Sequence, residues 1–356
     1  SSNKGWLEKG NDNWHLAFSG SQTSFFALGQ NIAWPDPDQN GNACFRGGQT
    51  FSDFPGPYHG GYLDILDWIA NLKTNGGNMV RIYNAAWCYE LEYDRLNDYS
   101  NRLNRGWELD ELFESCENQE MKISFVMHDK RLSSTDPQFL WATNPYNVFI
   151  PTVEQKSDFF SDGMARTVFK KKIRYIMARW GYSTSLGILS ILGEITNDWE
   201  EDHQLMTNWY GDMLTEINNQ IDYRPLLTTL SYGGDGIPGT FHETPYDLSA
   251  CSITCHHSYH NERSSNFKRF DEFNGYYFSG LDLRSGTHVR WPNKPTYFEE
   301  IGITNGPADP SDIEGCSDIS YHNTLWASSF MGGVGTGFVW WQWFNNDFRA
   351  QNYPAL

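Results

Sequence analysis

The chain has 356 residues, 39% of them hydrophobic, and no uninterrupted apolar run of the ~18 residues that a membrane-spanning helix needs. Its 44 acidic against 26 basic side chains leave a formal net charge of −18, a surface that repels phosphate backbones and anionic lipid and so argues against nucleic-acid and membrane partners. The N-terminal residues Ser1-Ser2-Asn3-Lys4-Gly5 carry no apolar signal core; the expectation is a mature secreted, periplasmic or cell-surface chain whose signal peptide has been removed.

In chain order, residues 14–18 and 24–28 flank a Gly-Ser turn, so the first 23 residues are expected to form a hairpin segment closing the floor of the fold. Eight short apolar runs of strand type then follow, at 24–34, 78–84, 122–128, 187–195, 226–231, 250–259, 295–302 and 335–343. Most are almost continuously apolar, as strands covered on both faces are. Helical spacing separates most of them. Tyr62, Ile65, Leu66, Ile69 and Leu72 form one apolar face, and Trp107, Leu109, Leu112, Phe113 and Cys116 a second. Phe169, Ile173, Ile176, Met177 and Trp180 form a third, with further helices expected over 205–221 and 321–330. No Pro/Ser linker divides the chain. Strands and helices alternating over one unbroken chain predict an α/β fold, a single (β/α)₈ TIM barrel with long βα loops at 36–57 and 130–160. Only about a dozen residues follow the last strand, so the closing helix is short or missing.

Chemistry in such barrels sits at the C-terminal ends of the strands. That rule selects Asn31 and Trp34 on the first strand, Arg81 on the second, His128 and Asp129 on the third and Glu194 on the fourth. His257 and Tyr259 end the sixth, Glu299 and Glu300 the seventh, and Trp340, Trp341 and Trp343 the eighth. Two carboxylates among Arg, His, Tyr and Trp suit the cleavage of a glycosidic bond. The 15 Trp, 19 Tyr and 23 Phe, 16% of the chain, fit the same reading, because sugar rings stack their C–H faces on aromatic faces. Glu194 ends the apolar run Leu189-Ser190-Ile191-Leu192-Gly193-Glu194, where an acid is costly unless it is paired or functional. Glu299 and Glu300 are adjacent. Strand alternation sends one to the barrel mouth and the other toward the helices, without saying which.

Metal sites find little support. Cys251, Cys255, His256 and His257 cluster in sequence but alternate between the faces of a strand. Asp36-Pro37-Asp38-Gln39-Asn40-Gly41 copies half a calcium loop, yet Gly47 stands where the bidentate Glu belongs. There is no His-x-His near the first strand of the kind a metal-dependent amidohydrolase barrel uses, and no cofactor is expected. The six cysteines allow one or two disulfides, whose pairing the sequence leaves open.

Several segments resemble the clan A glycoside hydrolases, closest to family 5-type cellulases and mannanases and their bacterial cellulase-like relatives. They are Gly76-Gly77-Asn78-Met79-Val80-Arg81-Ile82, Leu109-Asp110-Glu111-Leu112 leading to His128, and 174–183 leading to Glu194. Phe298-Glu299-Glu300-Ile301-Gly302 and the closing segments 322–327 and 335–341 complete the set. The resemblance implies a retaining reaction on a carbohydrate substrate, with Glu194 as acid/base and Glu300, chosen over Glu299 by the following Ile301-Gly302, as nucleophile. It further implies that Arg81 and Tyr259 orient the nucleophile, that His128 and His257 lie near the scissile sugar, and that Trp340 or Trp341 forms the platform beneath it. Trp34, Asn197 and Trp199 are further candidates for sugar contact. One departure stands out: the clan usually has Asn immediately before the acid/base, and here that position is Gly193. Either another side chain or a substituted sugar replaces the amide, or the barrel binds carbohydrate while turning it over poorly.

Overall fold

The structure, a computed structural model, describes residues 4–33, 61–84, 88–93, 95–128, 141–193, 203–230, 245–259, 290–302, 332–336 and 338. At the N-terminus three short strands, β1 (Leu7–Lys9), β2 (Leu16–Phe18) and β3 (Ser24–Phe25), form an antiparallel sheet in that order. Leu7 and Leu16 are fully buried against Met79, Ile188, Leu227 and Tyr297, side chains contributed by four different barrel strands. Burial of each leucine is worth about 1.5–3 kcal/mol, enough to hold the sheet as the barrel floor. The expected hairpin is therefore a three-stranded sheet, and the long first run divides: residues 24–25 join the floor, and the barrel strand proper begins at Gly29.

Five parallel strands follow in spatial order: β4 (Gly29–Ala33), β5 (Met79–Tyr83), β6 (Lys122–Val126), β7 (Leu186–Ser190) and β8 (Leu227–Thr229). A second parallel pair, β9 (Thr254–Tyr259) and β10 (Thr296–Gly302), extends the ring. Backbone hydrogen bonds bridge the two sheets on both sides. Ser252 N donates to Thr228 O at 3.1 Å beside β8. On the other side Val334 N donates to Thr296 O and Phe338 N to Phe298 O, both at 2.9 Å, while Thr336 N donates to Ala27 O at 2.7 Å just before β4. Residues 334–336 and 338 thus stand in the eighth strand position of a (β/α)₈ barrel. The interior is filled by side chains that meet across it, such as Ser124 Oγ on β6 and the Tyr297 hydroxyl on β10, 2.8 Å apart.

The helices form where the apolar spacing places them. In α1 (Tyr62–Thr74), Tyr62, Ile65, Ile69 and Leu72 are buried, and Lys73 lies in the last turn, where its charge complements the helix dipole. α2 (Leu103–Asn118) buries Leu109, Leu112, Phe113 and Cys116. Two short helices, α3 (Pro145–Phe149) and α4 (Lys156–Ser161), occupy a segment expected as loop, because five or six residues are too few to show a helical period. α5 (Gly163–Trp180) starts at Asp162, whose carboxylate accepts the Ala165 N–H at 2.8 Å, and α6 (His203–Gln220) packs beside it. The expected helix at 321–330 lies outside the described residues.

Cys88, Cys116, Cys251 and Cys255 are free and buried, so two disulfides are ruled out; Cys44 and Cys316 lie outside the described residues. Burial pushes the Cys251 thiol up to about 12, which keeps it protonated and unreactive in the folded chain. Denatured without reductant, the protein should titrate at least four thiols with a colorimetric thiol reagent, and the same four should be silent before denaturation. A count below four would contradict this packing.

Candidate active site

The site grows from a single parity relationship. Arg81 and Tyr83 are two residues apart on β5 and therefore share a face, the barrel interior. Arg81 is completely buried. Its Nε lies 3.0 Å from Glu299 Oε1, its Nη1 2.5 Å from Glu300 Oε1 and 3.1 Å from Asn31 Oδ1, and its Nη2 donates to the Tyr83 hydroxyl at 2.6 Å. Burial alone would lower the guanidinium's pKa; Glu299, with Tyr83, Glu300 and Tyr297, outweighs it and carries Arg81 well above the ordinary arginine value. Asn31 is fixed in turn, its amide donating to the backbone oxygens of Glu299 at 2.9 Å and Phe338 at 3.0 Å.

Strand alternation should have sent Glu299 and Glu300 to opposite faces. The structure corrects this. Pairing between β10 and β9 shifts between Phe298 and Glu300, so that Phe298 faces His256 and Glu300 faces His257, with Glu299 the extra residue of a bulge. Both carboxylates consequently turn inward to one arginine and one histidine. His257 Nε2 is 3.3 Å from Glu299 Oε2, and its Nδ1 is 3.2 Å from Glu300 Oε2. A neutral imidazole has one N–H and can donate to only one of these acids, whereas an imidazolium can donate to both.

The two acids nonetheless differ in depth. Glu299 is fully buried, accepting from the Tyr297 hydroxyl at 2.9 Å and lying 3.4 Å from Cys255 Sγ. Burial and the Glu299 charge push both the phenol and the thiol well above their ordinary values, so both keep their protons beneath it. Glu300 sits one level higher, its side chain 4% exposed, and accepts from the Tyr83 hydroxyl at 3.0 Å.

The structure thus brings together Asn31, Arg81, His257, Glu299 and Glu300 from the strand-end residues selected in the sequence and adds Tyr83. Tyr83 was legible as the same-face neighbour of Arg81. Of Tyr259, only the strand position opposite Gly302 is described. Glu194, Trp34, Asn197, Trp199, Trp340 and Trp341 lie outside the described residues, although the residue before Glu194 does not. Gly193 is buried, donates its N–H to His128 O at 2.7 Å and abuts the Tyr83 ring.

His128 is placed elsewhere than expected. β6 ends at Val126 and the chain bends, so strand parity no longer aims the side chain inward. The ring is fully buried and stacks on Phe159, with Asn144 Nδ2 3.3 Å from Nε2 and Lys172 Nζ 3.4 Å from Nδ1. Lys172 also donates to Glu90 Oε1 at 2.8 Å, and Glu92 beside it accepts from Tyr99 and Tyr146. Burial raises the Glu92 carboxyl above its ordinary value. His128 thus belongs to a buried polar network with Asn144, Lys172 and Glu90, and its side chain is not among those gathered around Arg81.

No protein-family profile matches the chain, and no curated protein sequence is similar to it. Its fold, however, is that of solved glycoside hydrolase structures. A glycoside hydrolase family 5 mannosidase from Rhizomucor miehei superposes with a TM-score of 0.61 at 14% identity, over 95% of this chain and 86% of that one. The endo-1,4-beta-mannanase of the same organism gives 0.60 at 11% identity, over 98% of both chains. The exo-beta-1,4-mannosidase Op5Man5 from Opitutaceae bacterium strain TAV5 gives 0.62 at 14% identity, over 97% of this chain and 58% of that longer one.

Proposed function

We propose that this chain is a retaining glycoside hydrolase that cleaves a β-linked polysaccharide or oligosaccharide with Glu300 as nucleophile and Glu194 as acid/base, without a cofactor. The observation that carries the proposal is the Glu300 carboxylate, held by Arg81, Tyr83 and His257 at the C-terminal end of a barrel strand. The resemblance of the flanking sequence and the shared fold point the same way.

In the first step an oxygen of Glu300 bonds to the anomeric carbon as the glycosidic C–O bond breaks, and Glu194 gives its proton to the departing oxygen. In the second, Glu194 takes a proton from water, the water oxygen attacks the same carbon and the bond to Glu300 is released. Glu299, buried below, keeps Arg81 fixed rather than meeting the sugar. Trp34, Trp199, Asn197, Tyr259, and Trp340 or Trp341 are proposed to line the sugar subsites. β-Mannosides are the first substrates to test, because the three structures compared above are named for action on mannose-containing substrates. An extracellular or cell-surface setting belongs to the same proposal, since that is where a polysaccharide is met.

The test is a panel of β-mannans, β-glucans and substituted polysaccharides, followed by reducing-end release and by NMR of the first-formed anomer. Reducing ends with the β-anomer appearing first are expected. An α-anomer appearing first would remove Glu300 from the nucleophile role, and tight binding without products would replace hydrolysis by carbohydrate binding.

A further inference from the structure

We propose that Tyr83 is the positioning residue of this site, its hydroxyl fixing the Glu300 carboxylate and its ring setting the room available to the chain just before Glu194. The glycine at 193 is then the imprint of Tyr83 rather than the sign of an impaired site. This inference rests on reading Glu300 as the nucleophile.

The phenol has one proton to give. Arg81 Nη2 donates to its oxygen at 2.6 Å, so the Tyr83 proton is turned outward from the guanidinium, and Glu300 Oε1, 3.0 Å away, receives it. The ring also lies against the guanidinium, with Arg81 Cζ 4.3 Å from its centroid. Phenol, guanidinium and carboxylate therefore form one rigid triangle.

The Cε1 edge of the same ring, beside the hydroxyl-bearing carbon, faces the residues that follow β7. A Cβ added to Gly193 would stand 2.8 Å from Tyr83 Cε1, 3.1 Å from Val126 Cγ1 and 3.3 Å from His128 O. The Gly193 backbone does not adopt the left-handed conformation that favours glycine, so what residue 193 lacks is space. Of the three neighbours only Tyr83 falls below 3.0 Å, so a larger residue must push its ring. Because a phenol ring moves as one body, that displacement shifts the hydroxyl from its place at 3.0 Å from Glu300 Oε1. Tyr83 thus couples the strand bearing the nucleophile to Gly193, the residue that precedes the acid/base in the chain.

The experiment is a double-mutant cycle on Tyr83→Phe and Gly193→Ala, with kcat and KM measured on 2,4-dinitrophenyl β-mannoside and β-glucoside. Tyr83→Phe removes the hydroxyl and keeps the ring; a lost hydrogen bond to a charged group predicts a fall in kcat on the order of 10- to 100-fold, with KM changed less than about twofold. Gly193→Ala keeps the hydroxyl but displaces it, and should show the same split between kcat and KM. Combined, the two should be non-additive, alanine costing less than about twofold once the hydroxyl is gone. Thermal melting of each variant near that of the parent separates this outcome from misfolding. Additive losses, or an unchanged kcat in Tyr83→Phe, overturn the proposal. Glu300→Gly run in parallel separates the two ideas. If it retains turnover, the nucleophile assignment fails and this proposal with it; if it is inactive while Tyr83→Phe is not, only the role of Tyr83 fails.

Discussion

Glu300→Gly is expected to lower turnover of an activated aryl β-glycoside by on the order of 10⁴-fold or more while leaving the fold intact. The loss should be large because the acid supplies the bond that splits one difficult displacement into two easier ones. The fold should survive because Arg81 keeps its ion pair to Glu299 at 3.0 Å and its hydrogen bonds to Asn31 and Tyr83, so no buried cation is stranded. Removing the side chain also opens a space beside the anomeric carbon. Azide can enter it, attack the carbon as the aryl oxide leaves, and restore turnover with an α-glycosyl azide as product. A β-glycosyl azide would instead mark Glu300 as the acid/base, and no response to azide with full residual activity would remove it from the reaction. Glu299→Gln should be far milder on chemistry, since that carboxylate is fully buried and already bonded to the Tyr297 hydroxyl and Arg81.

Arg81→Met should have the largest effect on stability. The guanidinium is fully buried between two carboxylates, and removing one partner of a buried ion pair typically costs about 3–5 kcal/mol, because the charge left behind has lost its counter-charge. A lower guanidinium chloride midpoint with an unchanged slope is the expected reading. Arg81→Lys should recover only part of the loss. One ammonium cannot reproduce a fork whose Nε holds Glu299 while Nη1 holds Glu300. Adding Glu299→Gln to Arg81→Met should restore stability without restoring turnover, since it neutralises the stranded acid but leaves Glu300 without its cation. A midpoint for Arg81→Met indistinguishable from the parent would mean that His257 alone suffices for both acids.

The barrel was legible because its strands are apolar on both faces and the helices between them keep a 3–4 residue spacing, two signals that need no tertiary information. Strand ends were less so. The run 187–195 reads as one strand, yet β7 stops at Ser190, and residues 191–193 bend past the Tyr83 ring. Glu299 was misassigned for a similar reason. Alternation is a rule of unbroken ladders, and a bulge depends on the partner strand, so nothing in Phe298-Glu299-Glu300 itself announces it. The burial of His128 was not legible either, because the chain leaves the pleat after Val126 and strand parity stops there. Tyr83, by contrast, could have been found: once Arg81 is assigned to the interior, its neighbour two residues on must share that face.

The register shift on β10 also changes what a deletion means there. Residues below it pair with β9 in one phase of the chain numbering, those from Glu300 upward in another, and the offset is one residue. Excising residue 299 would do more than remove a carboxylate. It would close the bulge, join two halves that are each already in register with β9 into one regular ladder, and leave the guanidinium facing a single acid. The spacer, as much as the acidity of the side chain it carries, is what sets two anions on one cation.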